Sequence, residues 1–115
     1  MVWLFENISN SNNYLFYLIL IESYDVLICV ASMDEEALIK FECYEEFSRL
    51  LRKNGYAFIV DRDAFYQKDK HICDKVLSDL ESAGICQTII NCSFENYIKN
   101  DLKSLDGRII VFKKI

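Results

Sequence analysis

Proline is missing from this 115-residue chain, and glycine occurs only three times. Average usage would give about six prolines and about eight glycines. A flexible linker or a long irregular loop leans on such residues, so the chain reads as one domain, residues 1–115, built from regular elements. Basic residues are missing from its beginning, where the first Lys or Arg is Lys40. A secretory leader opens on a basic segment, so none is expected. Histidine occurs once, at His71, and there is no C-x-x-C pair. Zinc-like ligand spacing is therefore absent, and neither a metal nor a cofactor is expected. The cysteines number five (Cys29, Cys43, Cys73, Cys86 and Cys92). An odd number makes a poor disulfide framework, and free thiols in a reducing, cytoplasmic setting are the expectation. The apolar run Tyr14–Ile21 is eight residues long and is followed by Glu22 and Asp25. A membrane helix needs about 20 apolar residues, so no span is expected.

What the chain does have is core material: 52% hydrophobic residues and 14% aromatics. Val2–Ile8, Tyr14–Ile21 and Val26–Ala31 read as strands, the last two as a hairpin turning at residues 22–25. Residues 32–54 support two readings. Ser32 and Glu35 fit a capping box for one long helix, whereas Ile39, Phe41 and Cys43 alternate with charged residues as a strand does. The second is preferred: a turn at 32–36, a strand at 37–43 and a helix from Tyr44 to Lys53. Beyond it, Gly55, Gly84 and Gly107 are each expected to stop a helix and start a strand. Strands at 56–60, 85–92 and 108–113 then alternate with helices at 69–83 and 94–105. The predicted fold is mixed α/β (α+β): an N-terminal antiparallel β-meander continuing into β-α-β-α-β-α-β units, one mixed sheet with three helices.

Motifs for chemistry are few. His71 and Cys73, two positions apart on a helix, do not face each other. Three glycines at helix ends leave no phosphate loop. Asp61-Arg62-Asp63 follows an apolar strand, where paired carboxylates can hold Mg²⁺. The pattern resembles the D-x-D of haloacid-dehalogenase-type phosphatases and of Toprim nucleases over about seven residues. That resemblance implies an alternative function as a Mg-dependent phosphoryl-transfer or nuclease-like enzyme using Asp61 and Asp63.

Charge is lopsided. Residues 1–48 carry nine acids and one base, and residues 49–115 carry nine acids and twelve bases, within a net charge of −5. So strong a local field suits a basic protein partner rather than direct contact with nucleic acid. The expected contact residues are Glu22, Asp25, Asp34, Glu35, Glu36, Glu42, Glu45 and Glu46, with no catalytic group. In size, acidity and composition the chain is similar to bacterial toxin-immunity proteins, including those of contact-dependent growth-inhibition systems. The resemblance implies a non-enzymatic inhibitor that neutralises a basic partner such as a nuclease toxin. The apolar surface around Trp3 and Phe5 leaves a homo-oligomer as a further expectation.

Overall fold

The computed structural model describes the backbone of residues 2–6, 23–30, 41, 43–99 and 104–115, and the side chains of 23–30, 41, 43–97 and 105–115. Its elements are β1 (Val2–Glu6), β2 (Tyr24–Val30), α1 (Cys43–Leu50), β3 (Leu51–Arg62), α2 (Asp63–Lys68), α3 (Lys70–Ser82), β4 (Cys86–Lys99) and β5 (Ser104–Lys114). The strands form one sheet in the order β1-β2-β3-β5-β4. β1, β2 and β3 run parallel, while β5 is antiparallel to both β3 and β4. Among the described residues there is thus one mixed α/β sheet with three helices, but its parts differ from the expected ones.

The N-terminal antiparallel meander is corrected. Val2–Glu6 lies directly beside Tyr24–Val30 and parallel to it, with Trp3 opposite Leu27. Parallel neighbours require a crossover rather than a tight hairpin. The expected strands at Tyr14–Ile21 and 37–43 fall, apart from Phe41 and Cys43, outside the described residues; Cys43 opens α1. The expected helix from Tyr44 to Lys53 is α1, which ends at Leu50. Residues 51–53 belong instead to β3, whose pairing with β2 jumps from Leu51 opposite Tyr24 to Tyr56 opposite Val26. The intervening residues bulge out, with Asn54 at φ 69° and Gly55 so close to the Asp25 carbonyl that a Cβ would stand 2.8 Å from it. Asn54, not Gly55, takes the left-handed position. Gly84 does meet the expectation, with φ +71° between α3 and β4.

The expected helix at 94–105 is also corrected. Residues 86–99 form one long strand that turns back as β5. Gly107 starts no strand but lies within β5 opposite Phe94, and a Cβ there would collide with the Phe94 ring.

The core lies between the sheet and the helices. β2 contributes Leu27 and Cys29, β3 Ala57 and Ile59, and β5 Ile110 and Phe112, all buried at alternate positions. α1 covers them with Tyr44 and Phe47, and α3 with Cys73, Val76, Leu77 and Leu80. Tyr44 is the keystone, its ring centroid 5.6 Å from that of Phe112 and 5.9 Å from that of Phe47. Burying each such side chain contributes about 1.5–3 kcal/mol. The helices therefore sit where the 3.6-residue stripes of 43–50 and 70–82 meet the two-residue alternation of the strands.

Candidate functional site

The parallel strands β2 and β3 end together, Val30 opposite Val60, and β3 continues two residues further to Arg62. In open α/β sheets, ligands bind at the carboxyl ends of such strands. A small cleft, partly open to solvent, lies here, between the end of β3, the start of α1, α2 and β5. Phe41, Tyr44, Phe65 and Tyr66 supply aromatic walls, and Asp61 and Arg108 supply charge.

Alternation along β3 turns Asp61 to the helix-covered side, on the same face as Ala57 and Ile59. It is one of two buried polar residues among those described, only 7% exposed. Its carboxylate accepts the Arg62 backbone N–H at 2.7 Å. Its charge is felt by two phenols. Burial pushes the Tyr44 hydroxyl well above the usual tyrosine range, with Cys73 and then Asp61 adding to the effect. Burial raises Tyr97 too, with Asp61 the next cause. Both phenols therefore stay neutral and able to donate a proton in a hydrogen bond.

Arg108 is fixed from four directions. Its Nε and Nη2 both donate to Asp63 Oδ1 at 2.8 Å, and Nη1 donates to Asn91 Oδ1 at 3.1 Å. Its guanidinium carbon stands 4.1 Å from the centroid of the Tyr66 ring, a close cation–π stack. Tyr66 donates to Asp74 at 2.8 Å and accepts a longer bond from Asn91 at 3.4 Å. Lys70 closes the chain by donating to the other Asp74 oxygen at 3.0 Å. Partial burial opposes the charge on Asp74, but the Lys70 and Tyr66 hydrogen bonds outweigh it and hold its carboxyl below the usual range. The network alternates sign from Lys70 to Asp63 and joins both helices after β3 to β4 and β5.

The paired-carboxylate reading of Asp61 and Asp63 is corrected by this geometry. The end of β3 separates the two: Asp61 lies on the buried face of the strand at the cleft floor, while Asp63 opens α2 and is engaged by Arg108. Among the described residues no group of three His, Cys, Asp or Glu side chains is close enough to hold a metal ion. The acidic patch is only partly in view. Glu22, Asp34, Glu35, Glu36 and Glu42 lie outside the described residues. Asp25 sits beside the end of α1, 3.5 Å from Arg52, whereas Glu45 and Glu46 occupy the first turn of that helix. Glu46 is bound to Arg49 at 2.7 Å. His71 is exposed and Cys73 buried on different sides of α3, as their spacing implies.

Three residues of the cleft, Tyr44, Tyr66 and Arg108, and Asn91, which braces the last two, were not singled out as functional from the sequence. Two left a signal. Asn91 interrupts an apolar run, and Arg108 opens one, and a polar group at such a place needs a partner.

No family model matches the chain, and no curated protein matches it. Among solved structures it is similar to a proposed sarcosine dimethylglycine methyltransferase from Galdieria sulphuraria, at 13% identity over 82% of this chain and 54% of that one, with a TM-score of 0.47. It is similar to a 30S ribosomal A1408 methyltransferase from an uncultured bacterium, at 16% identity over 84% and 56%, with a TM-score of 0.46. It is also similar to a SAM-dependent methyltransferase from Thermotoga maritima, at 17% identity over 83% and 56%, with a TM-score of 0.45. The chain thus spans little more than half the length of each. The solved structures that match are described as methyltransferases, not as toxin-immunity proteins or phosphoryl-transfer enzymes, and the expected reading of the chain as a non-enzymatic toxin inhibitor, with its Mg-dependent alternative, is corrected on that finding.

Nucleotide-like cofactors in open α/β sheets are approached closely by a glycine-rich turn after a parallel strand. Here Gly55 lies beside Asp25 at the amino end of β2, Gly84 follows α3, and Gly107 lies under Phe94. None stands at the carboxyl end of β1, β2 or β3, so the glycines of this chain do not fit such a cofactor in that manner. No helix among the described residues is long and apolar enough to cross a membrane.

Proposed function

We propose that the chain is a small-molecule-binding α/β domain that takes its ligand in the cleft at the carboxyl end of β3. The single observation that carries this reading is Asp61, a carboxylate placed on the floor of an aromatic-walled cleft at the one end of a parallel sheet where open α/β folds bind ligands. A carboxylate accepts only, so the ligand presents a hydroxyl or amine to Asp61 and an apolar or flat body to Phe41, Tyr44 and Phe65. Arg108, locked by Asp63 and Asn91, forms a rigid wall rather than a mobile arm, which suits recognition without rearrangement. The methyltransferase descriptions of its structural neighbours make methyl transfer onto a small hydroxyl or amine the first reaction to assay.

A fragment screen read by backbone-amide NMR tests the proposal. Hydroxyl- and amine-bearing aromatic fragments should shift the amides of Tyr44, Asp61, Phe65 and Tyr66 together. Asp61→Asn should weaken the best of them about tenfold, the loss of one charge-assisted hydrogen bond. Fragments that bind only elsewhere, or with unchanged affinity for Asp61→Asn, would overturn it.

A further inference from the structure

Arg108 has donors to spare. A guanidinium carries five N–H donors in a rigid fork and accepts nothing. Three are used: one each on Nε and Nη2 for Asp63 Oδ1, and one on Nη1 for Asn91 Oδ1. The other two, one on each terminal nitrogen, have no protein partner among the described residues. Yet the side chain is only 13% exposed, and it lines the cleft. Donors withdrawn from water in this way are ordinarily matched, and leaving them unmatched costs free energy.

Asp61 and Arg108 stand directly opposite each other on the antiparallel strands β3 and β5. Opposite charges so placed attract across the strands. Among the described residues no ion pair joins them: Arg108 is held instead on Asp63, at the start of α2, and laid against the Tyr66 ring. The hydrogen bonds from Tyr66 and Lys70 to Asp74 hold that ring in turn. One small cleft thus keeps a carboxylate and a guanidinium that do not neutralise each other. The charged side chains that line or brace it balance, Asp61, Asp63 and Asp74 against Arg62, Lys70 and Arg108. A ligand of net charge would upset that balance, whereas one carrying both signs would not.

We infer that the ligand of the cleft is a small aromatic α-amino acid, its carboxylate held by the two spare donors of Arg108 and its amine by Asp61. The inference rests on the proposed binding function of the cleft and narrows its ligand class. A carboxylate has two acceptor oxygens, one for each spare donor, and bonds between ionised partners are the strong ones. Asp61 and Arg108 share one small cleft, so the groups they recognise lie within a few bonds of each other, as the amine and carboxylate of an α-amino acid do. Phe41, Tyr44 and Phe65 then take the aromatic side chain. Because Arg108 is already locked by Asp63 and Asn91, it loses little rotamer freedom on binding.

Amide NMR titrations of the intact chain with phenylalanine and with phenethylamine, which lacks only the carboxylate, test this. Phenylalanine should shift the amides of Asp61, Tyr66 and Arg108 and bind about tenfold or more tighter than phenethylamine. Arg108→Gln, its fold checked by circular dichroism, should bring the two affinities within about twofold by weakening phenylalanine. If that variant fails to fold, the wild-type comparison decides, with the Arg108 Nε–H resonance moving on addition of phenylalanine and not of phenethylamine. Equal affinity for the two compounds, or a preference for phenylalanine that survives Arg108→Gln, would sink the inference. Phenethylamine binding that needs Asp61 but gains nothing from the carboxylate would leave the cleft a binding site with a different ligand class. If neither compound reaches the cleft the inference falls, and the fragment screen decides the broader reading separately.

Discussion

Four of the five cysteines are buried, and only Cys92 is exposed. Burial pushes the Cys73 thiol up to about 12, with the nearby Asp74 charge adding, and pushes Cys86 up to about 11. The consequence for stability has a definite sign. Below about pH 8.5 both thiols hold their protons whether the chain is folded or unfolded, so they contribute no pH dependence. Above it the unfolded chain releases protons that the folded chain retains, and stability falls as pH rises. The fall continues to about 11 for Cys86 and about 12 for Cys73, at about 1.4 kcal/mol per unit for each fully separated group. Urea midpoints measured under reducing conditions from pH 7 to pH 10.5 should therefore decline more steeply for the wild type than for Cys73→Ala with Cys86→Ala. Parallel declines would show that these thiols ionise alike in both states. The apolar settings of Cys29, Cys73 and Cys86 were legible in the sequence. The exposure of Cys92 was not, because it follows from β4 being the sheet's edge. Asp63 makes the same point: its place after a strand was legible, but its partner lies 45 residues away and is set by the β3–β5 register.

At the scale of elements, the clearest departure from expectation is the stretch 94–105. Ser93 offers a helix cap, and Phe94, Tyr97, Ile98, Leu102 and Leu105 recur at helical spacing. Of these, Phe94, Tyr97 and Ile98 lie in β4 and Leu105 in β5, while Leu102 is outside the described residues; the strand is possible because β4 is irregular. Its pairing with β5 shifts between Phe94 and Ile98, and Asn96 sits at φ 59°, so the strict two-residue alternation is broken. A bulge hides a strand from any periodicity argument. Gly107 marks the other half of the arrangement, since the Phe94 ring fills the space above it. Gly107→Ala should destabilise the fold by about 1–3 kcal/mol through that collision. Phe94→Ala removes the obstacle, so adding Gly107→Ala to it should cost at least about 1 kcal/mol less than adding it to the wild type. Additive effects in a denaturation cycle would place the two residues out of contact. The parallel pairing of β1 with β2 was hidden for a different reason. Short apolar runs separated by a few polar residues suit a hairpin, and nothing local distinguishes a crossover partner earlier in the chain.

For the whole molecule, the sheet has an inside and an outside in its own plane. β3 lies between β2 and β5, and β5 between β3 and β4, so both are bonded on two sides over Ala57–Val60 and Ile109–Phe112. They also carry much of the core, with Ala57, Ile59, Ile110 and Phe112 all buried. Local openings that spare the centre release the margins first. Native-state hydrogen exchange should accordingly find its slowest amides in these two segments, opening only with global unfolding. β1 and β4 should exchange faster, because each is held by one neighbour among the described strands. Within β4 the amide of Thr88 is the exception, because it donates to the Glu81 carboxylate at 2.8 Å. Exchange along β1 and β4 as slow as that of Ala57–Val60 and Ile109–Phe112 would show that the whole sheet opens as one unit.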